Sequence, residues 1–491
     1  MRYRLTRRGF LQQTATAGAI VLAGPRILRS ASPNSKVHFA FIATGGRGGA
    51  HTGLGRSEAC VAYCDVDKGR WGGCAKAYPD AKAYTDYRKM LETHAKEIDA
   101  VTVATPDHNH ACAAMLALKM GKGVYCEKPL TWSVQEARAL ATETAKQKVP
   151  TQMGNQGHAN EGNRLTVEWV RGGLIGDVLE IHTWTNRPVW PQGITTRPAS
   201  QPVPPNLDWD CWIGPAPFRD YHPGLHGFSW RGWFDFGCGA VGDMGCHTWD
   251  NVNWAMEPDY PEYVELVRIE GSGAPETFPR QAHFKWVFPA KGKRPGFVAH
   301  WYSGGLKPDE PPELNEVEKP KVAVAPGVAG PARLPNPDEL SAAGVPVAAK
   351  PKPKAKPRSG RRGLPGSGTI YIGTKGKLLV SGDYGNSPRL IPDSRMKEVT
   401  FPPKFLERSP GHHQEWLMAL KGEKPWDFPK SNFLYAGPMT ELMLLGCVSI
   451  HLGEVGLKIE CDPVKREVKT AAARKYVARV PYRKGWDGII G

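Results

Sequence analysis

The sequence predicts an α/β chain of two domains: a doubly wound parallel sheet, then an α+β domain built on a large, mostly antiparallel sheet. Three observations carry this. From Lys36, short apolar or β-branched runs alternate with helical stretches, the pattern of parallel strands joined by crossover helices. A glycine-rich turn at 45–49 follows directly on the first of those runs. After about Gln152 the alternation stops, and strands succeed one another with few helices between them. At 491 residues the chain exceeds one compact domain of ordinary size and can bury two or three cores.

Taken in order, residues 37–44 read as a strand, 45–49 as a turn, 51–57 as a helix and 60–66 as the next strand. Further strands are expected at 98–105 and 123–126, with helices at 108–120 and 133–146. This first domain spans 36–152. In the second, a helix at 164–171 and a strand at 178–186 precede a Pro- and Trp-rich passage reaching about Trp254; strands resume at 263–270, 282–288 and 298–302. Residues 306–366, with Lys350-Pro-Lys-Pro-Lys-Ala-Lys-Pro357 at their centre, cannot bury enough apolar surface to fold and are expected to be a disordered insertion. Strands at 369–373 and 377–380 and an apolar helix at 437–452 complete a second domain of 153–305 and 367–461, leaving 462–491 as a tail.

The formal net charge of +16 raises the question of a nucleic-acid partner, and its location answers it. Residues 1–31 hold six arginines and no acid, and 346–362 hold seven lysines and arginines and no acid. The folded remainder is nearly neutral, so no nucleic-acid role is expected. Residues 1–31 read Thr6-Arg7-Arg8-Gly9-Phe10-Leu11-Gln12, then a mildly apolar run and small residues to Ala31. That is the twin-arginine export pattern, which implies the Tat machinery as a partner and a periplasmic location. No uninterrupted stretch of some 20 apolar residues occurs, so no membrane span is expected. The ten cysteines show no CxxC spacing; buried free thiols are expected rather than a zinc ribbon or disulfide framework.

The loop Ala43-Thr44-Gly45-Gly46-Arg47-Gly48-Gly49 lies between a strand and a helix, where a dinucleotide-binding fold needs bare backbone beside a pyrophosphate. Ala43 stands where the motif has its first glycine, and an ordinary tight turn is the alternative reading. Asp65 ends the second strand about 20 residues after Gly45, where a carboxylate can accept hydrogen bonds from the adenosine ribose, which favours NAD over NADP. A plain strand-end cap is the alternative for Asp65, and Asp67 is an alternative partner for the ribose.

Later come Cys126-Glu127-Lys128-Pro129-Leu130 and Gly242-Asp243-Met244-Gly245-Cys246-His247. Taking hydride from a carbinol carbon requires a base for the hydroxyl proton and a positive group near the developing alkoxide. Lys128 can supply the charge. His247 is the candidate base, with Asp243, one helical turn earlier, orienting the imidazole or holding the substrate. The plainer alternative is a helix-capping Asp/His pair and a lysine in an ion pair.

Together these motifs resemble the Gfo/Idh/MocA oxidoreductases, as do Thr105-Pro106-Asp107-His108-Asn109-His110, Trp301-Tyr302-Ser303-Gly304-Gly305-Leu306-Lys307 and Ser431-Asn432-Phe433-Leu434-Tyr435-Ala436-Gly437-Pro438. With the export signal and the Pro-rich insert, the chain is similar to the exported bacterial branch of that family. The resemblance implies an N-terminal Rossmann domain in which Thr44, Gly45, Gly46, Arg47, Gly48, Asp65, Thr105, Pro106, His108, His110, Glu127 and Lys128 surround NAD. It places Asn155, His158, Asp243 and His247 beside a sugar, cyclitol or glycoside, and it implies a homo-oligomer through the open face of the second sheet. His108-x-His110 could bind metal, but no further ligand spacing accompanies it and no metal is expected. Eight of the sixteen tryptophans fall between Trp184 and Trp254, as sugar-stacking platforms or as core. Three functions remain open: net sugar oxidation or reduction, a redox-neutral hydrolysis or lyase step with an internally recycled cofactor, or a non-catalytic cofactor-bound module.

Overall fold

The computed structural model describes residues 35–271, 276–315, 363–479 and 481–490. The twin-arginine segment and the basic centre of the insertion lie outside the described residues.

Six strands, β1 (His38–Ile42), β2 (Ala59–Cys64), β3 (Lys82–Tyr84), β4 (Ala100–Val103), β5 (Gly123–Cys126) and β6 (Thr151–Met153), form a parallel sheet in the order β3-β2-β1-β4-β5-β6. Both faces are covered, which is why β1 reads Phe-Ala-Phe-Ile with no polar alternation. Phe39 and Phe41 enter one apolar cluster while Ala40 and Ile42 enter another. The order reverses between β1 and β4, and a crevice opens there at the carboxyl ends of the strands.

Nine strands make the second sheet: β7 (Val178–Trp184), β8 (Tyr263–Glu270), β9 (Gln281–Phe288), β10 (Phe297–Ser303), β11 (Gly368–Gly373), β12 (Gly376–Ser381), β13 (Ser387–Ile391), β14 (Lys458–Asp462) and β15 (Glu467–Val468). Their order is β13-β12-β11-β7-β10-β9-β8-β14-β15. The β10–β7 pair is parallel and the other neighbours are antiparallel, so the predicted fold class is the observed one.

The expected limits need four corrections, three of them from packing that links distant segments. The helix His412–Leu420, read as second-domain sequence, covers the first sheet: Trp416 is fully buried against Phe39 and donates its indole N–H to the Pro150 carbonyl at 3.0 Å. The apolar helix begins earlier than expected, at Phe433, and runs to Leu452. It is long and apolar enough to cross a membrane, but 83% of its most apolar window is buried inside the protein, packed on the helix Val134–Gln147 and the second sheet. The ends of the insertion are ordered: Leu314 and Leu364 are buried beside Trp184, and Lys307 donates to the Leu364 carbonyl at 2.9 Å. The tail is no loose end. Trp486 is 1% exposed, edge-on to Tyr87 and capped by the Arg88 guanidinium at 4.0 Å. All ten cysteines carry free thiols, nine of them buried.

Candidate active site

A cavity of about 760 Å³ lies where β1, β2, β4 and β5 end, within the size range of small-molecule sites. Its first-domain wall is made by the residues that follow each strand: Gly45, Gly46 and Arg47 after β1, Asp65 after β2, Thr105 to Asp107 after β4, and Glu127 and Lys128 after β5. The helix Gly239–Thr248 brings Asp243 and His247 to the opposite wall. Thus the sequence-predicted catalytic residues, 115 positions apart in the chain, share one cavity.

Local conformation explains the loop. Ala43 has φ +66° and Gly46 φ +54°, the left-handed region that glycine enters freely and alanine at a cost of about 1–2 kcal/mol. A side chain at Gly46 would meet nothing within 4 Å, so this bare backbone opens on the cavity and fits the close approach of a pyrophosphate. Gly48 does not line the cavity; a Cβ there would stand 2.1 Å from the Ala43 carbonyl oxygen. Helix and strand can pack this closely only through glycine. Gly48→Ala is therefore expected to cost about 2–3 kcal/mol and to weaken NAD binding, measured by urea unfolding and by ligand titration.

Thr44 also sits behind the loop. Asp65 Oδ2 accepts from the Thr44 amide at 2.9 Å and the Gly45 amide at 3.2 Å, and Oδ1 accepts from the Asp67 amide at 3.0 Å. The carboxylate expected at the ribose lines the cavity while pinning the glycine loop. Asp67 instead caps the short turn at Gly69, at 2.9 Å, and binds Asn206.

Lys128 Nζ donates to Asp243 Oδ1 at 2.7 Å, and Arg231 Nε donates to the same oxygen at 2.9 Å. Burial would raise the Asp243 carboxyl, but the charges of Lys128 and Arg231 hold it down to about 2. This corrects the expected orienting role: Asp243 grips two cations and not the imidazole. His247 packs edge-on against Tyr384 at 4.8 Å, and its Nδ1 is buried with no hydrogen-bond partner among the described residues. Burial first and Lys128 second push His247 down to about 3, so it is neutral at physiological pH. The Lys128-Pro129 peptide is cis. Glu127 Oε1 accepts from Arg47 Nε at 2.9 Å and faces His51 Nε2 at 2.8 Å; burial would raise this carboxyl, but both partners hold it far below the ordinary range.

Other expected site residues stand behind the walls. His108 is fully buried with Nδ1 3.2 Å from the Phe236 carbonyl and Nε2 2.9 Å from the Trp212 carbonyl, a brace between domains rather than a cofactor contact. His110 does line the cavity, its nitrogens against the Pro129 and Thr105 carbonyls at 2.7 and 2.8 Å. With all four nitrogens facing carbonyls, His108 and His110 do not form the metal pair considered from spacing. Asn155 is buried and accepts from Ser431 Oγ at 2.6 Å. His158 Nδ1 lies 2.9 Å from Asp250 Oδ1, and its ring stacks on Trp254 at 4.2 Å. Neither Asn155 nor His158 reaches the cavity; Gln156, between them, does.

Three functional candidates escaped the sequence reading. Arg231 comes from the Trp-rich passage, held 4.3 Å over Trp230 and 4.4 Å over Phe228; no spacing rule ties an arginine there to Lys128. Tyr384 arrives from beyond the insertion. Asp107 was visible in its motif, yet only burial reveals its chemistry: it lifts the carboxyl to about 7 despite Arg231 and Lys128. Of the tryptophans, Trp184, Trp209, Trp233 and Trp249 are core, while Trp190, Trp212 and Trp230 reach the cavity.

The buried neutral histidines have a consequence for stability. Burial holds His108, His247 and His451 at about 3, against 6.5 when free. Below 6.5 the unfolded chain binds protons that the folded chain refuses, so their contribution is complete above that pH and falls as the pH drops. Asp107 acts oppositely, retaining its proton up to about 7, but these three outweigh it, and His283 and His300, lowered by burial to about 4 and about 3, act in the same direction as they do. Unfolding free energy should fall by at least about 3–5 kcal/mol between about pH 6.5 and 4.5, measured by denaturant titration at each pH.

Comparison with known proteins agrees with this architecture. Residues 37–155 match the model of an oxidoreductase family, NAD-binding Rossmann fold, and residues 172–274 match that family's C-terminal alpha/beta domain. The chain is 36% identical over 90 residues to an uncharacterized oxidoreductase of Streptococcus pneumoniae, covering 18% of this chain and 24% of the relative. It is 30% identical over 124 residues to an inositol 2-dehydrogenase of Salmonella typhimurium, covering 25% of this chain and 36% of the relative. The chain thus spans about a quarter to a third of those relatives' length. Among solved structures, the WlbA dehydrogenase from Bordetella pertussis, in complex with NADH and UDP-GlcNAcA, superposes with a TM-score of 0.54 at 15% identity, covering 87% of this chain and 99% of that one. A levoglucosan dehydrogenase in complex with NADH and L-sorbose gives 0.52 at 14% identity, covering 88% and 100%; at such identities both share the fold. Residues 37–155 and 172–274 thus match both domains of the Gfo/Idh/MocA oxidoreductase family, and the first of them is an NAD-binding Rossmann domain of that type.

Proposed function

We propose that the chain is an NAD(H)-dependent oxidoreductase that acts at a ring carbinol carbon of a sugar, cyclitol or glycoside. The observation that carries the reading is the convergence of the glycine loop, Lys128, Arg231 and His247 on one cavity. NAD, when bound, supplies the hydride acceptor. Gly45, Gly46 and Asp65 would hold it, since bare backbone and a strand-end carboxylate suit pyrophosphate and ribose. The chain's own part is proton and charge control. His247, neutral and buried, takes the hydroxyl proton; Lys128 and Arg231, held in place by Asp243, stabilise the negative charge that develops on that oxygen. One carboxylate against two cations leaves a net positive wall. Asp107, titrating near 7, is a second group in that wall able to pass a proton. The partial likeness to inositol 2-dehydrogenases supports the substrate class.

Export by the twin-arginine route belongs to the same proposal and favours a second reading. An exported enzyme meets little free nicotinamide, so a cofactor carried out in the bound state would be regenerated within each turnover. Transient oxidation of a ring hydroxyl acidifies the neighbouring C–H, permits elimination of a glycosidic substituent, and ends with re-reduction.

The protein purified without added cofactor is denatured and its released nucleotide identified by mass spectrometry and absorbance. Stoichiometric NAD(H) supports the reading and favours internal recycling. An empty protein that binds NAD on titration and turns over sugars points to net redox chemistry, and one that neither binds NAD nor turns over any polyol overturns both.

A further inference from the structure

On the far face of the second sheet lies a group of side chains that the cavity does not use. Along β7, Ile181 is buried in the main core, and Thr183 turns inward toward Thr369 at 3.3 Å. Glu180 and His182 alternate with them and therefore face away from the cavity. Parallel pairing sets Val298 opposite Glu180 and His300 opposite His182, which brings the two imidazoles side by side, stacked at 4.8 Å.

From this we infer that Glu180, His182 and His300 form a binding site for one divalent transition-metal ion of the zinc class. The ligand atoms all lie within 4.8 Å of one another. Glu180 Oε1 is 3.1 Å from His182 Nε2 and 3.4 Å from His300 Nε2. Metal–ligand bonds of about 2.0–2.1 Å in tetrahedral geometry separate neighbouring ligands by about 3.3 Å, so both pairs already have the required spacing. Two imidazole nitrogens and one carboxylate oxygen suit zinc, cobalt or iron(II) better than calcium or magnesium, which prefer all-oxygen sets.

The surroundings have the form that metal sites need. A ligating histidine normally gives its remaining ring N–H to a second partner, which fixes its orientation. Here His182 Nδ1 lies 2.9 Å from the Tyr302 hydroxyl, and His300 Nδ1 lies 3.0 Å from His283 Nε2. Both second partners come from the same sheet face, so both Nε2 atoms are aimed at Glu180. The His182 and His300 side chains are 14% and 16% exposed and Glu180 is 44% exposed. An ion here keeps an outward coordination position for water or another ligand. The site stands apart from the catalytic wall and holds whether or not the oxidoreductase reading does.

The full chain, stripped with chelator and dialysed, is titrated with zinc chloride by calorimetry and with cobalt(II) chloride by visible absorption. One equivalent bound with micromolar or tighter affinity, and the intense d–d bands of four-coordinate cobalt, are expected. Glu180→Gln, on the exposed ligand, should weaken binding by at least about tenfold, and His182→Ala combined with His300→Ala should abolish it. Wild-type protein that binds neither metal, or affinity and spectra unchanged in Glu180→Gln, overturns the assignment even if the double variant fails to fold.

Discussion

Lys128→Ala is expected to reduce turnover by about 10²–10³-fold or more, the loss seen when a donor facing a developing oxyanion is removed. The physical basis is the charge balance of the cavity wall. With the ammonium gone, Asp243 retains Arg231 at 2.9 Å, so the carboxylate stays partnered and the fold is spared the full cost of an unpaired buried charge. What disappears is the excess positive charge, because one carboxylate now faces one cation. The loss should therefore fall on kcat, with NAD affinity little changed, since the glycine loop and Asp65 are untouched. Steady-state kinetics with the best polyol substrate, set beside NAD titration, checks this. Unchanged turnover would return Lys128 to the role of a structural ion pair. Asp243→Asn provides a graded companion: it leaves both cations in place but loosens their common anchor, so a smaller loss with a shifted pH profile is expected.

His247→Ala should abolish measurable turnover, a loss of about 10²–10⁴-fold, while NAD remains bound. The imidazole sits 4.8 Å from the Tyr384 ring, and its replacement leaves a space that water can enter, so some activity should return as the pH rises and hydroxide substitutes for the base. That return is the signature of a lost proton acceptor and would not follow from damage to packing. Because Lys128 and burial together hold His247 at about 3, the wild-type pH profile should show no loss of activity at pH 6 from protonation of this ring. An acid limb near 7 would instead point to Asp107. Turnover unaffected by the substitution would remove His247 from the mechanism.

The sequence alone determined what depends on neighbours along the chain. Alternation of apolar runs and helices, a glycine turn after the first strand and a run of strands after Gln152 are local patterns, and the two sheets follow from them. The cavity-lining Gly45, Gly46, Asp65, Lys128, Asp243 and His247 were legible for the same reason: each sits at a strand end or helix turn whose place in such a fold is set by topology. Only the tertiary structure decided which partner each side chain takes. Asp243 and His247 are one helical turn apart, so sequence spacing paired them; in the fold, Lys128 from 115 positions away and Arg231 from 12 positions away take the carboxylate first, because opposite charges in a buried wall attract more strongly than a neutral ring does. Likewise His108 and His158 lie in motif positions, yet burial and carbonyl or carboxylate partners turn them into braces. Glu180 and His300 stand 120 positions apart and meet only through strand register, and the helix at 412–420 crosses back to the first sheet because its tryptophan finds apolar area there. Local sequence sets backbone form; competition among distant groups for burial and charge, which no local window contains, sets the chemistry.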